Sequence, residues 1–333
     1  MNHNSILNKI YNKENLTTKE SAFIFNKIMD GELDDIQITS TLISLKMKSE
    51  SKDEIIGAAQ VMRDKSLKIN SPKNTIDTCG TGGDMKNTLN ISTSAAIVAA
   101  SAGVKIAKHG NRSVSSKSGS ADMLEKLGYK ISSNVEELEN SLLNKNFCFL
   151  FAQNHHSAMK NVINVRKHLG TRTIFNLLGP LTNPANAKKQ LLGVYSKGLV
   201  NLHCNCLKEL GSERALVVHG LDGLDEISLS DKTYINELKN NKILEYVFNP
   251  VDYGYDLIDI KEIKGGDPNY NANCFKKMIN GNYKSFQNIV EINAGVVIYL
   301  SDLAKDLKEG FNLANKVIEE GTTKNYVNSL INE

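Results

Sequence analysis

Apolar residues recur at helical spacing near the start of the chain. Ala22, Phe23, Phe25 and Ile28 follow Thr17-Thr18-Lys19-Glu20, which fits a capping box. A second helix is expected over about Ile36 to Lys48. A second capping box, Ser51-Lys52-Asp53-Glu54, precedes Ile55, Ile56, Ala59 and Val61, and Ser71-Pro72 ends the pattern. The rhythm then changes to short apolar or β-branched runs alternating with helical segments. Strands are expected at Thr75–Cys79, Val104–Lys108, Cys148–Ala152, Leu191–Tyr195 and Ala215–His219, with helices at about Thr93–Ala102, Ala121–Leu127, Val135–Asn144 and Val200–Leu210. That alternation implies a mostly parallel sheet covered by helices on both faces. Tyr234–Leu238 and Ile243–Phe248, separated by Asn240-Asn241, read as an antiparallel hairpin. From Ser285 onward the pattern is helical again. The fold class expected is a small all-helical N-terminal domain, residues 1–72, plus a large α/β domain, 73–333, with a mostly parallel central sheet.

Composition narrows the function classes. The chain has 333 residues, enough for two domains or one large domain with an appendage. Forty basic against 37 acidic residues leave a net charge of +3, so no global charge argues for nucleic acid. The longest apolar run, Ala294 to Leu300, is too short to cross a bilayer, and Met1 to Lys13 is polar, so a cytoplasmic protein with no membrane partner is expected. Five cysteines, an odd number, read as free thiols in a reducing compartment, most of them buried. Cys204 and Cys206 sit one residue apart on a helix and so point to different faces; with no second pair at ligand spacing, they do not read as a zinc motif.

Three segments carry candidate chemistry, each beyond the carboxyl end of an expected strand, where open α/β sheets bind ligands. Asp77-Thr78-Cys79-Gly80-Thr81-Gly82-Gly83-Asp84 is a glycine loop leading through Asn87-Thr88-Leu89-Asn90-Ile91-Ser92-Thr93 into an alanine-rich helix. Glycines admit a close ligand and turn several N–H groups into one concavity, and Ser or Thr at the helix start serve as N-caps. The loop suits phosphate. It is not a dinucleotide fingerprint, because Met85 stands where the third glycine belongs, and no Gly-Lys pair followed by Ser or Thr marks a P-loop. The second segment runs from Lys108 to Ser120 and holds three cations and five serines in thirteen residues, a supply of charge and directional donors for an anion. The third, Gly220-Leu221-Asp222-Gly223-Leu224-Asp225-Glu226-Ile227, offers adjacent carboxylates of the kind that hold Mg²⁺ together with waters and substrate phosphates.

Gly80-Thr81-Gly82-Gly83-Asp84, Asn87 to Thr93, Lys108-His109-Gly110-Asn111-Arg112-Ser113 and Asn176-Leu177-Leu178-Gly179-Pro180-Leu181-Thr182-Asn183-Pro184 together resemble the signatures of the anthranilate phosphoribosyltransferases, in family order. The resemblance implies transfer of a phosphoribosyl group from phosphoribosyl pyrophosphate (PRPP) to the amine of anthranilate, the second step of tryptophan biosynthesis. It implies two Mg²⁺ ions per subunit, a homodimer formed through the small domain, and a return of about residues 166–188 to that domain. By position it assigns Gly80, Gly83, Asp84, Thr88, Asn90, Ile91, Ser92 and Thr93 to the PRPP and pyrophosphate pocket. Lys108, His109, Gly110, Asn111, Arg112, Ser113, Val114, Ser115, Ser116 and Ser120 would wrap the sugar and its phosphates. Gly80, Asn111 and Arg166 would meet anthranilate, and Ser92, Asp225 and Glu226 the metal. Lys108 and His109 are the electrostatic candidates, with His109 as base or merely as packing left open. His155 and His156 are expected to be structural. Gln153, Ser157 and Asn164 stand where many relatives have proline, which should soften the wall along the anthranilate approach. Pyrimidine nucleoside phosphorylases share the fold but typically carry Ser-Gly-Arg-Gly where this chain has His109-Gly110-Asn111-Arg112. Nucleic-acid-binding relatives show eroded pocket motifs and a more basic surface.

Overall fold

A computed structural model describes residues 2–113 and 117–331. Four helices open the chain: α1 (His3–Tyr11), α2 (Thr18–Asp30), α3 (Asp35–Lys48) and α4 (Lys52–Asp64). Both expected capping boxes form, Thr17 with Glu20 and Ser51 with Glu54. A third, Asp34 with Gln37, starts α3. Each satisfies N–H groups that a helix start would otherwise leave open.

The α/β part follows in the order β1 (Ile76–Asp77), α5 (Ile91–Ser101), β2 (Ile106–Gly110), α6 (Ser120–Leu127), α7 (Val135–Lys145), β3 (Phe147–Phe151), the single-turn α8 (Ala152–His155), α9 (Lys160–Leu169), the single-turn α10 (Phe175–Leu178), β4 (Lys189–Gly193), α11 (Gly198–Glu209), β5 (Arg214–Gly220), β6 (Thr233–Lys239) and β7 (Lys242–Phe248). It closes with α12 (Pro268–Met278), α13 (Lys284–Leu300), α14 (Leu307–Glu319) and α15 (Thr322–Ile331). The seven strands lie in the order β3-β2-β1-β4-β5-β6-β7. The first five are parallel, and β6 and β7 add the antiparallel hairpin. Asn240 and Asn241 turn it with φ of 52° and 58°, the left-handed pair a two-residue hairpin loop requires.

Several expectations need correction: β2 and β4 are each shifted by two residues from the expected Val104–Lys108 and Leu191–Tyr195. The first strand is only two residues long, not Thr75–Cys79, because the chain leaves the ladder at Thr78 to begin the glycine loop. Helix α5 is not capped by Ser92 or Thr93. Its N-cap is Asn90, which makes no side-chain cap bond, while Ser92 and Thr93 already lie in the first turn.

One apolar core packs α5, α13 and α14 against one face of the sheet. The other face is covered by α11 and by the helical layer, whose Phe25, Ile55, Phe175 and Leu178 join Leu192, Val217 and Cys206 in a second core. Helix α9 packs on α2 and α3. Cys204 and Cys206 do face apart, toward the Asn236 and Lys52 carbonyls. No described helix is long and apolar enough to cross a membrane.

Candidate active site

Strand order reverses between β1 and β4, with β2 on one side of β1 and β5 beyond β4. The crevice at such a reversal, outside the carboxyl ends of the strands, is where a ligand fits. The glycine loop fills one wall. Thr81 N donates to Gly193 O at 2.9 Å, and Tyr195 N donates to Thr81 Oγ1 at 3.1 Å, so the loop is tied to the end of β4. Gly82, Gly83, Met85 and Asn87 all have positive φ, between 52° and 78°. The loop therefore coils tightly, and Met85 stands 80% exposed at its tip.

The acidic pair after β5 comes up beneath this loop. A Cβ on Gly80 would stand 3.4 Å from Asp225 Oδ2, so that glycine lets the carboxylate approach. A Cβ on Gly193 would collide with the Asp225 carbonyl at 1.5 Å. Glu226 Oε1 accepts from Ser92 N at 3.2 Å, in the first turn of α5. Because the Asn90 side chain makes no cap bond, this first-turn N–H faces the crevice and takes a carboxylate instead. Asp84 accepts from Lys86 N at 3.1 Å and from the Asp225 backbone. Burial raises the affinity of all three carboxyls for protons, and the negative charge of Asp84 on Asp225, and of Asp225 on Glu226, raises it further. Three mutually repelling carboxyls near the foot of a phosphate-type loop offer the kind of oxygen donor that a hard divalent cation takes together with waters and substrate phosphates.

The second segment arrives on β2. Lys108 is buried at 1% exposure, with Nζ donating to Thr78 O at 2.9 Å and Thr78 Oγ1 at 3.0 Å. Burial lowers its pKa, opposed by the nearby Asp77, Asp225 and Glu226. Its neighbour His109 turns to the other face of the sheet. Nδ1 sits 3.1 Å from Gly179 O and must donate the hydrogen, leaving the lone pair on Nε2. Burial and the adjacent His156, ring centroids 5.2 Å apart, hold its pKa well below the usual imidazole value. His109 is thus neutral. His155 Nδ1 meets Leu67 O at 2.7 Å, and burial pushes the His156 pKa down to about 4, in keeping with packing roles for both.

Beyond His109 the segment spreads out. Asn111 is exposed and accepts from Gln153 Nε2 at 3.4 Å. Arg112 is committed to Asp122 at 2.9 Å and Glu125 at 2.7 Å and stacks over Phe151. Asp122 also accepts from Ser113 N and Gly119 N, which anchors both ends of the segment. Val114, Ser115 and Ser116 lie outside the described residues. Ser120 accepts from Thr93 Oγ1 at 2.9 Å, and Asn90 bonds Ser118 O at 3.2 Å, so both loops meet over the start of α5. Arg166 stands on α9 with its guanidinium 5.4 Å from the Phe175 ring centre. Among the described residues no carboxylate pairs with it.

Several contributors escaped the reading of the sequence. Arg172 Nη2 donates to Gly83 O while its guanidinium lies 4.0 Å over the Tyr195 ring, joining the segment after α9 to the glycine loop. Thr88 forms a bridge with Lys264, and Gly265 N donates to Asn87 O at 2.8 Å. Asn271 Nδ2 donates to Asn90 Oδ1 at 2.8 Å. None sits in a motif; each reaches the loop from roughly ninety or more positions away in the chain.

Residues 72–324 match the model for the glycosyl transferase family, a/b domain, and residues 4–66 the helical bundle domain of the same family. An anthranilate phosphoribosyltransferase of Thermoanaerobacter sp. (strain X514) is 46% identical over 316 residues, covering 95% of this chain and 94% of the relative. The chain belongs to the anthranilate phosphoribosyltransferase family. A Marinomonas sp. (strain MWYL1) member is 47% identical over 95% of the chain and 92% of its own length. Among solved structures, the Thermus thermophilus anthranilate phosphoribosyltransferase superposes with a TM-score of 0.92 at 36% identity, covering 98% of both chains. The Saccharomyces cerevisiae enzyme in complex with PRPP and Mg does so with 0.89 at 27% identity, covering 99% of this chain and 96% of that one. The expected pentosyltransferase class and two-part fold are thereby upheld.

Proposed function

We propose that this chain transfers the phosphoribosyl group of PRPP to the amine of anthranilate, giving N-(5-phosphoribosyl)anthranilate and pyrophosphate. What supports the reading is the meeting of three features at one crevice: the start of α5, which no side chain caps at Asn90, a glycine loop, and the carboxylates Asp84, Asp225 and Glu226. Relatives across nearly the whole chain bear the same activity in their names, and the yeast structure holds PRPP and Mg.

Gly80, Gly83, Asp84 and Thr88 line the sugar phosphate, and Asn90, Ile91, Ser92 and Thr93 present the open helix end to pyrophosphate. N–H groups fixed there before reaction stabilise the negative charge that grows as pyrophosphate departs from the anomeric carbon. Asp225, Glu226 and Ser92 hold Mg²⁺, two ions per subunit. When bound, Mg²⁺ supplies positive charge to the pyrophosphate oxygens. Lys108, fastened beneath the loop by Thr78, adds fixed positive field. His109 to Ser113, with Ser120, contact the sugar and its phosphates; for Arg112 this requires release from Asp122 and Glu125. The aryl amine is unprotonated at neutral pH, so the neutral His109 need only pack beside it or take its proton after attack. Arg166, with no acidic partner among the described residues, offers its guanidinium to the anthranilate carboxylate, aided by Asn111.

Residues 1–72 and about 166–188 form the helical unit, with 73–333 the α/β unit. Two copies pair through the helical unit. Ile36 and Met47 on α3 and Ile163 on α9 are 80%, 75% and 55% exposed, an apolar surface consistent with that interface. The setting is the cytoplasm.

Mixing the protein with PRPP, Mg²⁺ and anthranilate and following anthranilate fluorescence tests the reading. The signal should fall only when all three are present. Unchanged fluorescence with folded protein refutes it.

A further inference from the structure

Below the glycine loop lies a cluster that the transfer chemistry does not use as a whole. Cys79 lies just past the end of β1, and His109 lies near the end of the neighbouring β2. Asp77 and Cys79 are two apart and so share a face of the extended chain, the same face His109 takes; Thr78 and Lys108 point to the other. One ligand atom from each of Asp77, Cys79 and His109 lies within 4.8 Å of the others. Asp77 Oδ1 accepts from His109 N at 3.0 Å, and the Asn183 amide lies beside the same carboxyl and favours its charged form. His109 Nε2, the nitrogen that carries the lone pair, is buried with no partner. These two side chains are 0% and 3% exposed. An orphaned buried acceptor is costly, and an ion held by the imidazole, the carboxyl and the thiol would satisfy it. Cys79 is half-buried, whereas the other four cysteines are buried.

We propose that Asp77, Cys79 and His109 form a second cation site at the carboxyl ends of β1 and β2, selective for zinc or a similarly soft divalent ion. Thiolate, imidazole and carboxylate are the donors zinc prefers, while the all-oxygen group of Asp84, Asp225 and Glu226 suits Mg²⁺; softness therefore sorts the two metals between neighbouring sites. Three protein ligands leave a fourth position open. Binding sends the Cys79 thiol proton to solvent, and the two anionic ligands then balance the ion's charge beside Lys108. The ion would occupy the His109 lone pair, the one nitrogen of that ring not already bonded to Gly179 O. The site is not visible as a sequence motif, because its third ligand comes from a different strand thirty residues on.

Titrating the full chain with Co²⁺ or Cd²⁺ in excess Mg²⁺ tests the site without reference to the transfer reaction. One equivalent should develop thiolate-to-metal absorption. C79S should abolish the band and weaken binding by at least about tenfold, while C274S should retain it. No band in the unaltered chain, or an equal band in C79S, overturns the proposal. Should C79S fail to fold, alkylation of the unaltered protein serves instead. Zinc should protect Cys79, located by peptide mass spectrometry, and protection at another cysteine, or none, overturns the site equally.

Discussion

Glu226→Gln separates the folding cost of the acidic site from its use. In the metal-free chain the Glu226 carboxyl is deprived of water and faces Asp225, so its pKa is raised. A carboxyl that holds its proton more tightly when folded costs stability as pH climbs. The cost is absent below the unfolded carboxyl value of about 4.3 and complete above the raised folded value. Each unit of elevation is worth about 1.4 kcal/mol. Glutamine keeps an oxygen for the Ser92 N–H and carries no charge. The variant should therefore match the parent at pH 4.5 and be more stable at pH 8, by about 1–3 kcal/mol, within the span that burial alone produces. In a chain of this size that moves the melting temperature by a few degrees, at about 2–4 °C per kcal/mol or somewhat less. Mg²⁺ at about a hundred times its Kd stabilises the parent by about 2.7 kcal/mol, and this gain should nearly vanish in the variant along with turnover. Differential scanning fluorimetry at the two pH values, with and without Mg²⁺, reads all four numbers. Equal melting at pH 8 without Mg²⁺, or the same Mg²⁺ shift in both proteins, refutes the account of the site.

Arg166→Ala should raise the anthranilate KM by about 10–100-fold, the worth of a charge-assisted hydrogen bond, and leave the PRPP KM within about twofold; equal changes in both count against the carboxylate role. Arg172→Ala removes both the bond to Gly83 O and the stack on Tyr195, so the PRPP KM should rise by about tenfold, and lysine should not restore it because the planar fork is lost. A change confined to the anthranilate KM contradicts that. Gly193→Ala forces a methyl into the Asp225 carbonyl, and thermal melts should show about 1–3 kcal/mol lost together with the Mg²⁺ shift; a variant that still responds to Mg²⁺ shows that the β4 end does not seat the acidic pair.

Features encoded locally were the ones legible in the sequence. A capping box needs only four consecutive residues, so Thr17 to Glu20 and Ser51 to Glu54 announce their helices, and Asp34 to Gln37 carried the same signal unread. Asn240-Asn241 dictates its own turn. The glycine loop and acidic pair could be recognised because each is contiguous and each follows a strand. Where a residue's role depends on a partner elsewhere, local pattern misleads. Ser92 and Thr93 look like caps, yet the helix opens one residue before Ser92 because Leu89 N is engaged by Ile263 O and Asn90 by Asn271, contacts from the far end of the chain. Arg112 looks like a free anion receptor, but Asp122 and Glu125, on the next helix, hold it. The divergence has a physical logic. A pocket for a highly charged substrate must keep donors unsatisfied and like charges close, the arrangement that local propensity disfavours. Only long-range ties such as Arg172 to Gly83 and Lys108 to Thr78 can impose it. The strain at the site is thus borne by the parts of the fold that sequence pattern shows least.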